Sequence, residues 1–147
     1  MVQAEWSVES VFLPNATSIA AAREFVRGHL LRHDLLHVVD DVRLVVSELA
    51  TNAMVHARTP FTVTLTGRRD GSVLLTVRDE SSLSPAHTAA GELDTTGRGL
   101  SIVDHVSSEW GVTPAGDAPY AKAVWASFQT HRRGRSKASD RPSPPTS

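Results

Sequence analysis

Cysteine does not occur among the 147 residues, which excludes disulfides, thiolate zinc sites and cysteine nucleophiles together. Aromatic residues are scarce at 5%, and Trp6, Trp110 and Trp125 each stand in an apolar alternation, so they read as sheet packing rather than a base-stacking platform. Long apolar runs are missing too: none approaches the ~20 residues of a membrane span. The N-terminal residues lack a basic segment followed by an apolar core, so no secretory signal is expected and a cytoplasmic location is. A large excess of one charge is also absent, the net being −1. That near-zero sum hides an asymmetry. Residues 131–147 carry five of the fifteen basic residues and one of the sixteen acidic ones, so this stretch is +4 and the remainder −5. The stretch, His131-Arg132-Arg133-Gly134-Arg135 running into Pro142-Ser143-Pro144-Pro145, has almost nothing apolar to bury and reads as a disordered tail. Without an aromatic to stack on bases it is not read as a nucleic-acid arm. What is present, 40% hydrophobic and 21% charged residues, is ordinary for one globular domain over 1–130.

Periodicity outlines the elements. Alternation over Glu5–Leu13 predicts a strand closed by Pro14. Asn15 or Thr17 can cap a helix whose stripe is Ile19, Ala22, Phe25, Val26 and Leu30, running to about His33. A second helix is predicted from Leu36 to Ala57, with Val38, Val42, Val45, Val46, Leu49 and Ala53 inward, stopped by Arg58-Thr59-Pro60. The period then changes to 2: Phe61, Val63 and Leu65, a two-residue turn at Asp70-Gly71, and Val73 to Val77 form a hairpin. A loop of about eighteen residues follows, poor in periodicity and long enough to suggest a lid. Leu100, Ile102, Val103 and Val106 predict a short helix, and strands are expected near Glu109–Thr113 and Tyr120–Gln129. The order β-α-α-β-β-α-β-β predicts an α+β fold of two layers: a mixed, mostly antiparallel sheet with helices on one face.

Three features carry chemistry. Glu48, Asn52 and His56 recur at four-residue spacing, each about 40° around the helix from the last, and form a polar stripe beside the apolar face. Such a stripe is either a solvated helix edge or the lining of a cleft. In a cleft, the Asn52 carbonyl could bind Mg²⁺, which takes oxygen ligands and few protein groups, while Glu48 accepts a proton. Thr96-Gly97-Arg98-Gly99-Leu100 opens the third helix. Two glycines, free N–H groups and an arginine there suit a phosphate, although a plain loop end would look the same. Asp79 ends an alternating strand, where it either starts a turn or accepts a hydrogen bond from an exocyclic amine such as that of adenine. His29, His33 and His37 lie four apart but bring no further ligands, and cations at a helix C-terminus suit its dipole, so no metal is assigned to them. No Gly-x-Ser-x-Gly elbow occurs.

Together these segments resemble a known superfamily. Val45-Val46-Ser47-Glu48-Leu49-Ala50-Thr51-Asn52-Ala53-Met54-Val55-His56-Ala57 is similar to the N-box of the GHKL ATPases (gyrase, histidine kinase and mismatch-repair ATPases). Its Glu-x3-Asn form followed by His-Ala resembles that of the anti-sigma factor serine kinases and their actinobacterial relatives. Val77-Arg78-Asp79-Glu80 resembles the first glycine box, Thr96 to Val103 followed by Trp110-Gly111 the second, and Ala121-Lys122-Ala123-Val124-Trp125-Ala126 the closing strand. Ala21-Ala22-Arg23 also fits, and the resemblance spans about residues 8–128.

The resemblance implies the Bergerat-type ATP-binding fold and an ATP- and Mg²⁺-dependent protein serine/threonine kinase. Glu48 would be its catalytic base and Asn52 its Mg²⁺ ligand. Asp79 would meet the adenine amine, and Thr96, Gly97, Arg98, Gly99 and Leu100 would hold phosphate under a lid formed by 80–97. His56 is counted with the nucleotide-binding residues. The implied partners are a sigma factor and a phosphorylatable anti-sigma factor antagonist, with homodimerisation possible and no direct contact with nucleic acid or membrane. Two departures stand out. Glu80-Ser81-Ser82-Leu83 replaces the glycines usual after the Asp, and Ala123 stands where a Thr often supports adenine, so weaker nucleotide binding is expected. The alternative is a non-catalytic ATP-binding module that sequesters a protein partner.

Overall fold

A computed structural model describes residues 5–81 and 101–129. Within them the chain forms strand β1 (Trp6–Phe12), helix α1 (Thr17–Arg32), a 3₁₀ turn (Leu36–Val38), helix α2 (Val39–Asn52), a π turn (Ala53–Ala57), strands β2 (Phe61–Gly67) and β3 (Val73–Asp79), helical residues 101–106, and strands β4 (Glu109–Pro114) and β5 (Lys122–Phe128). The predicted order holds. The sheet runs β1-β2-β3-β5-β4, and every neighbouring pair is antiparallel. A mixed, mostly antiparallel sheet was expected. The observed one contains no parallel pair among the described residues: β3 and β4 run the same way, with helical residues 101–106 between them in the chain, but β5 lies between them in the sheet.

Cross-strand register sorts the two faces. Val63, Leu65, Leu75, Val77, Val124 and Ala126 share one face and pack with Val26, Leu30, Val42, Val46, Leu49 and Ala53 of the helices in one buried core. The other face carries Glu9, Thr64, Thr66, Thr76, Arg78 and Trp125. There Arg78 pairs with Glu9 at 3.2 Å and with Asp117, and lies 5.0 Å from the centre of the Tyr120 ring, whose hydroxyl accepts a hydrogen bond from Thr62. This network ties the 115–121 loop across three strands.

Local signals are mostly realised with altered detail. Neither Asn15 nor Thr17 caps a backbone N–H of α1 with its side chain; instead Asn15 Oδ1 accepts the hydroxyls of Thr17 and Ser18, at 2.7 and 3.3 Å. Asp40 and Asp41 occupy the first turn of α2, where carboxylates favour the helix dipole. The β2–β3 connection is longer than the predicted two-residue turn. Arg68 N–H donates to Ser72 O and Gly71 N–H to Arg68 O, so residues 69–71 form the loop. Gly71 takes φ 91°, a conformation that favours glycine, and Asp70 Oδ1 accepts both the N–H and the hydroxyl of Ser72. These bonds, the hydroxyl's foremost, hold the Asp70 carboxyl below its ordinary pKa.

The histidines at the end of α1 are occupied by packing. His33 lies flat on Trp6, ring centres 3.8 Å apart, and His29 meets the edge of Phe25 at 4.9 Å. Burial, followed by the charges of Arg32 and His33, lowers the pKa of His29. Trp6 itself stands opposite Gly67, where a Cβ would lie 2.1 Å from its Nε1. Gly67→Ala therefore forces Trp6 off the sheet and breaks the His33 stack. A loss of about 1–3 kcal/mol is expected, as for overpacking in a core, to be read from urea unfolding followed by tryptophan fluorescence.

Candidate functional site

The chain's path brings the singled-out residues to one end of the sheet. Residues 58–60 alone connect the π turn to β2, and Thr62 near the start of β2 opposes Arg78, the neighbour of Asp79. The C-terminal end of α2 therefore lies at the same end as Asp79 and the start of β5, and both α2 and the π turn pack against β3.

On α2, Glu48 and Asn52 stand one turn apart, both half-buried, as the spacing predicted. His56 departs from that pattern. From Ala53 the helix adopts i→i+5 bonding, closed by Arg58 N–H donating to Ala53 O at 3.2 Å, so fewer degrees separate successive residues and His56 is not the third step of a 40° stripe. Arg58 then takes a left-handed conformation with φ 57°, and the chain turns toward Pro60. Single-turn π segments of this kind recur at functional sites.

Two side-chain atoms at this corner, Asn52 Nδ2 and Thr59 Oγ1, are buried without a hydrogen-bond partner among the described residues. Burying a polar group unpaired costs about 1–3 kcal/mol, so such a group calls for an explanation. A nucleotide with its metal supplies one. The amide offers a carbonyl oxygen to a hard cation and N–H donors to phosphate oxygen, and a glutamate one turn earlier adds a carboxylate. The donor set thus fits Mg²⁺ and a phosphate chain.

Asp79 is 3% exposed at the end of β3. Its backbone carbonyl accepts the Ala121 N–H at 2.8 Å, and its Oδ1 accepts Lys122 Nζ at 2.7 Å and Ser81 N–H at 3.0 Å. Lys122 and Asp79 are direct cross-strand partners. Sequence reasoning missed Lys122, although parity could have found it: in an antiparallel pair, residues directly opposite share a face. The same parity corrects the expectation at Ala123. That residue opposes Arg78 and therefore faces the other side of the sheet, away from Asp79, so a threonine there would not reach the Asp79 carboxylate.

Thr96, Gly97, Arg98, Gly99 and Leu100, most of the proposed lid and the tail 131–147 lie outside the described residues. Residues 101–106 are helical as predicted, with Val103 buried in the core, and Trp110 Nε1 donates to Asp104.

The family model of the histidine kinase-like ATPase domain matches residues 12–118. The chain belongs to that family. No curated protein matches it. As a histidine kinase-like ATPase domain it is expected to bind ATP and to perform ATP hydrolysis or ATP-dependent phosphoryl transfer, and the antiparallel α+β architecture agrees with that fold. Among the described residues no helix is long and apolar enough to cross a membrane.

Proposed function

We propose that this histidine kinase-like ATPase domain is an anti-sigma factor with serine/threonine kinase activity: it binds a sigma factor and phosphorylates an antagonist that competes for the same domain. The observation that supports this reading best is the pairing of Glu48 with Asn52 one turn apart, Asn52 carrying a buried, unpartnered Nδ2. A domain that only holds ATP has no need of a carboxylate at that place, whereas one that moves the phosphoryl group uses it to receive a proton from the attacking hydroxyl, in this reading that of a protein serine or threonine.

In this reading Asn52 holds Mg²⁺ with its carbonyl oxygen and the nucleotide's phosphate with its amide N–H. Asp79 accepts the exocyclic amine of adenine. Gly97 and Gly99, through their backbone N–H groups, hold the phosphates together with Thr96, Leu100 and the Arg98 cation. The metal supplies charge neutralisation on the transferring phosphoryl group. Glu48 accepts the proton of the incoming serine or threonine hydroxyl, and the rest of the catalysis is positioning.

The test is calorimetric titration of the full chain with ATP, with and without Mg²⁺, alongside Asn52→Ala. Magnesium-dependent binding that weakens about a hundredfold in the variant, with an unchanged melting temperature, is the expected result, since a lost metal ligand forfeits several kcal/mol. Equal binding by wild type and variant would refute the assignment of Asn52. Strong Mg-ATP binding with no labelled phosphate passed to any Ser- or Thr-bearing antagonist would favour the non-catalytic module.

A further inference from the structure

Asp79 is not an ordinary strand-end carboxylate. Two donors from different elements, Lys122 Nζ on β5 and the Ser81 N–H just beyond β3, converge on the same oxygen, Oδ1. The pair is buried, with side-chain exposures of 11% for Lys122 and 4% for Asp79. Lys122 Nζ also reaches Ser81 O at 3.5 Å, so the three groups brace one another. The Asp79 backbone is fixed as well, by the Ala121 N–H. A carboxylate oxygen offers two acceptor directions, and here both on Oδ1 are taken. Both hydrogen bonds that the carboxylate accepts among the described residues fall on that oxygen.

We propose that Lys122 is the residue that sets the purine selectivity of the site: by occupying Oδ1 it leaves the carboxylate one oxygen, Oδ2, with which to meet a base. The inference rests on the reading of Asp79 as the base contact. Adenine presents a single exocyclic amine flanked by ring acceptors, so one acceptor oxygen suffices. Guanine presents N1–H and N2–H side by side, a donor pair that a carboxylate engages best with both oxygens at once, as it engages arginine. Guanine also carries O6 where adenine carries its amine, and O6 would face the remaining oxygen acceptor to acceptor. A pinned Asp79 therefore accepts adenine and refuses the two-point contact that guanine requires. Without Lys122, Oδ1 regains an acceptor direction and the guanine edge gains its second contact.

The experiment is competition of ATP and GTP against a fluorescent ATP analogue on the full chain, for wild type, Lys122→Met and Lys122→Gln. Wild type is expected to prefer ATP at least about tenfold, the scale of one good two-point base contact. Lys122→Met should bring the ratio to within about threefold, with GTP binding tightening. Lys122→Gln, which keeps an N–H for Oδ1, should retain the preference. The ratio is read on one folded sample, so a loss of stability, followed by thermal melting, weakens both nucleotides together and does not move it. An unchanged ratio in Lys122→Met overturns the proposal, as does a wild type that binds both purines alike. Asp79→Asn separates this from the underlying reading: if that variant binds ATP as wild type does, Asp79 is not the base contact. If it loses ATP while Lys122→Met keeps the ratio, the inference about Lys122 alone falls.

Discussion

Glu48→Gln is expected to slow phosphoryl transfer to a Ser- or Thr-bearing protein acceptor by roughly a hundred- to ten-thousandfold, the usual contribution of a positioned general base. Glu48 sits half-buried on α2, one turn before Asn52 and on the same side, so a metal and phosphate held by Asn52 would lie within reach of its carboxylate. Glutamine keeps the size and polarity of the side chain but cannot take a proton. Binding and chemistry should therefore separate: the ATP dissociation constant stays within about twofold while the transfer rate collapses, which marks an interaction made in the transition state alone. Labelled-phosphate transfer under single-turnover conditions checks the rate, and calorimetry checks the affinity. A transfer rate within threefold of wild type would remove Glu48 from the chemistry and leave phosphoryl transfer to positioning and charge alone.

Periodicity made the scaffold legible because burial leaves a regular mark. The α1 stripe of Ala22, Val26 and Leu30 and the α2 stripe of Val42, Val45, Val46 and Leu49 are buried as their spacing predicted; β1 and β3 alternate as expected, whereas β5 is buried at six of its seven positions. Phase was harder to read than existence. Nothing in Ala53-Met54-Val55-His56-Ala57 announces i→i+5 bonding, since the choice between α and π depends on how the helix end docks on β3, and His56 lost its predicted phase for that reason. At the hairpin, Asp70-Gly71 was correctly a turn, but the Asp70 bonds to Ser72 widened the loop by one residue. The site divides in the same way. Glu48 and Asn52 share a helix, so their relation follows from local geometry, whereas Lys122 and Asp79 are 43 positions apart and meet through a register that only the assembled sheet defines. The departure noted at Ala123 fell on the wrong neighbour by a single residue, and in a strand a single residue is a change of face.

Asp79→Ala should destabilise the fold by about 3–5 kcal/mol, far more than truncating an exposed aspartate, because it strands a charge. Lys122 has its ammonium in a site where the paired carboxylate is almost fully shielded from water, and removing one member of a buried ion pair leaves the other to bear its desolvation alone. For a domain of this size such a loss lowers the melting temperature by at least about 10 °C. The companion variant decides whether the pair or the packing matters. Asp79→Leu combined with Lys122→Met replaces both charges by apolar groups of similar bulk, and replacements of that kind are commonly neutral or stabilising, so the double variant should recover most of the lost stability in urea unfolding. It should recover none of the adenine binding, since the acceptor is gone. A cost below about 1 kcal/mol for Asp79→Ala would mean that the pair behaves like a solvent-screened surface bridge. Recovery of stability without recovery of binding would instead mean that the Asp79 charge is kept at a position where folding does not require it, as expected of a residue retained for the nucleotide.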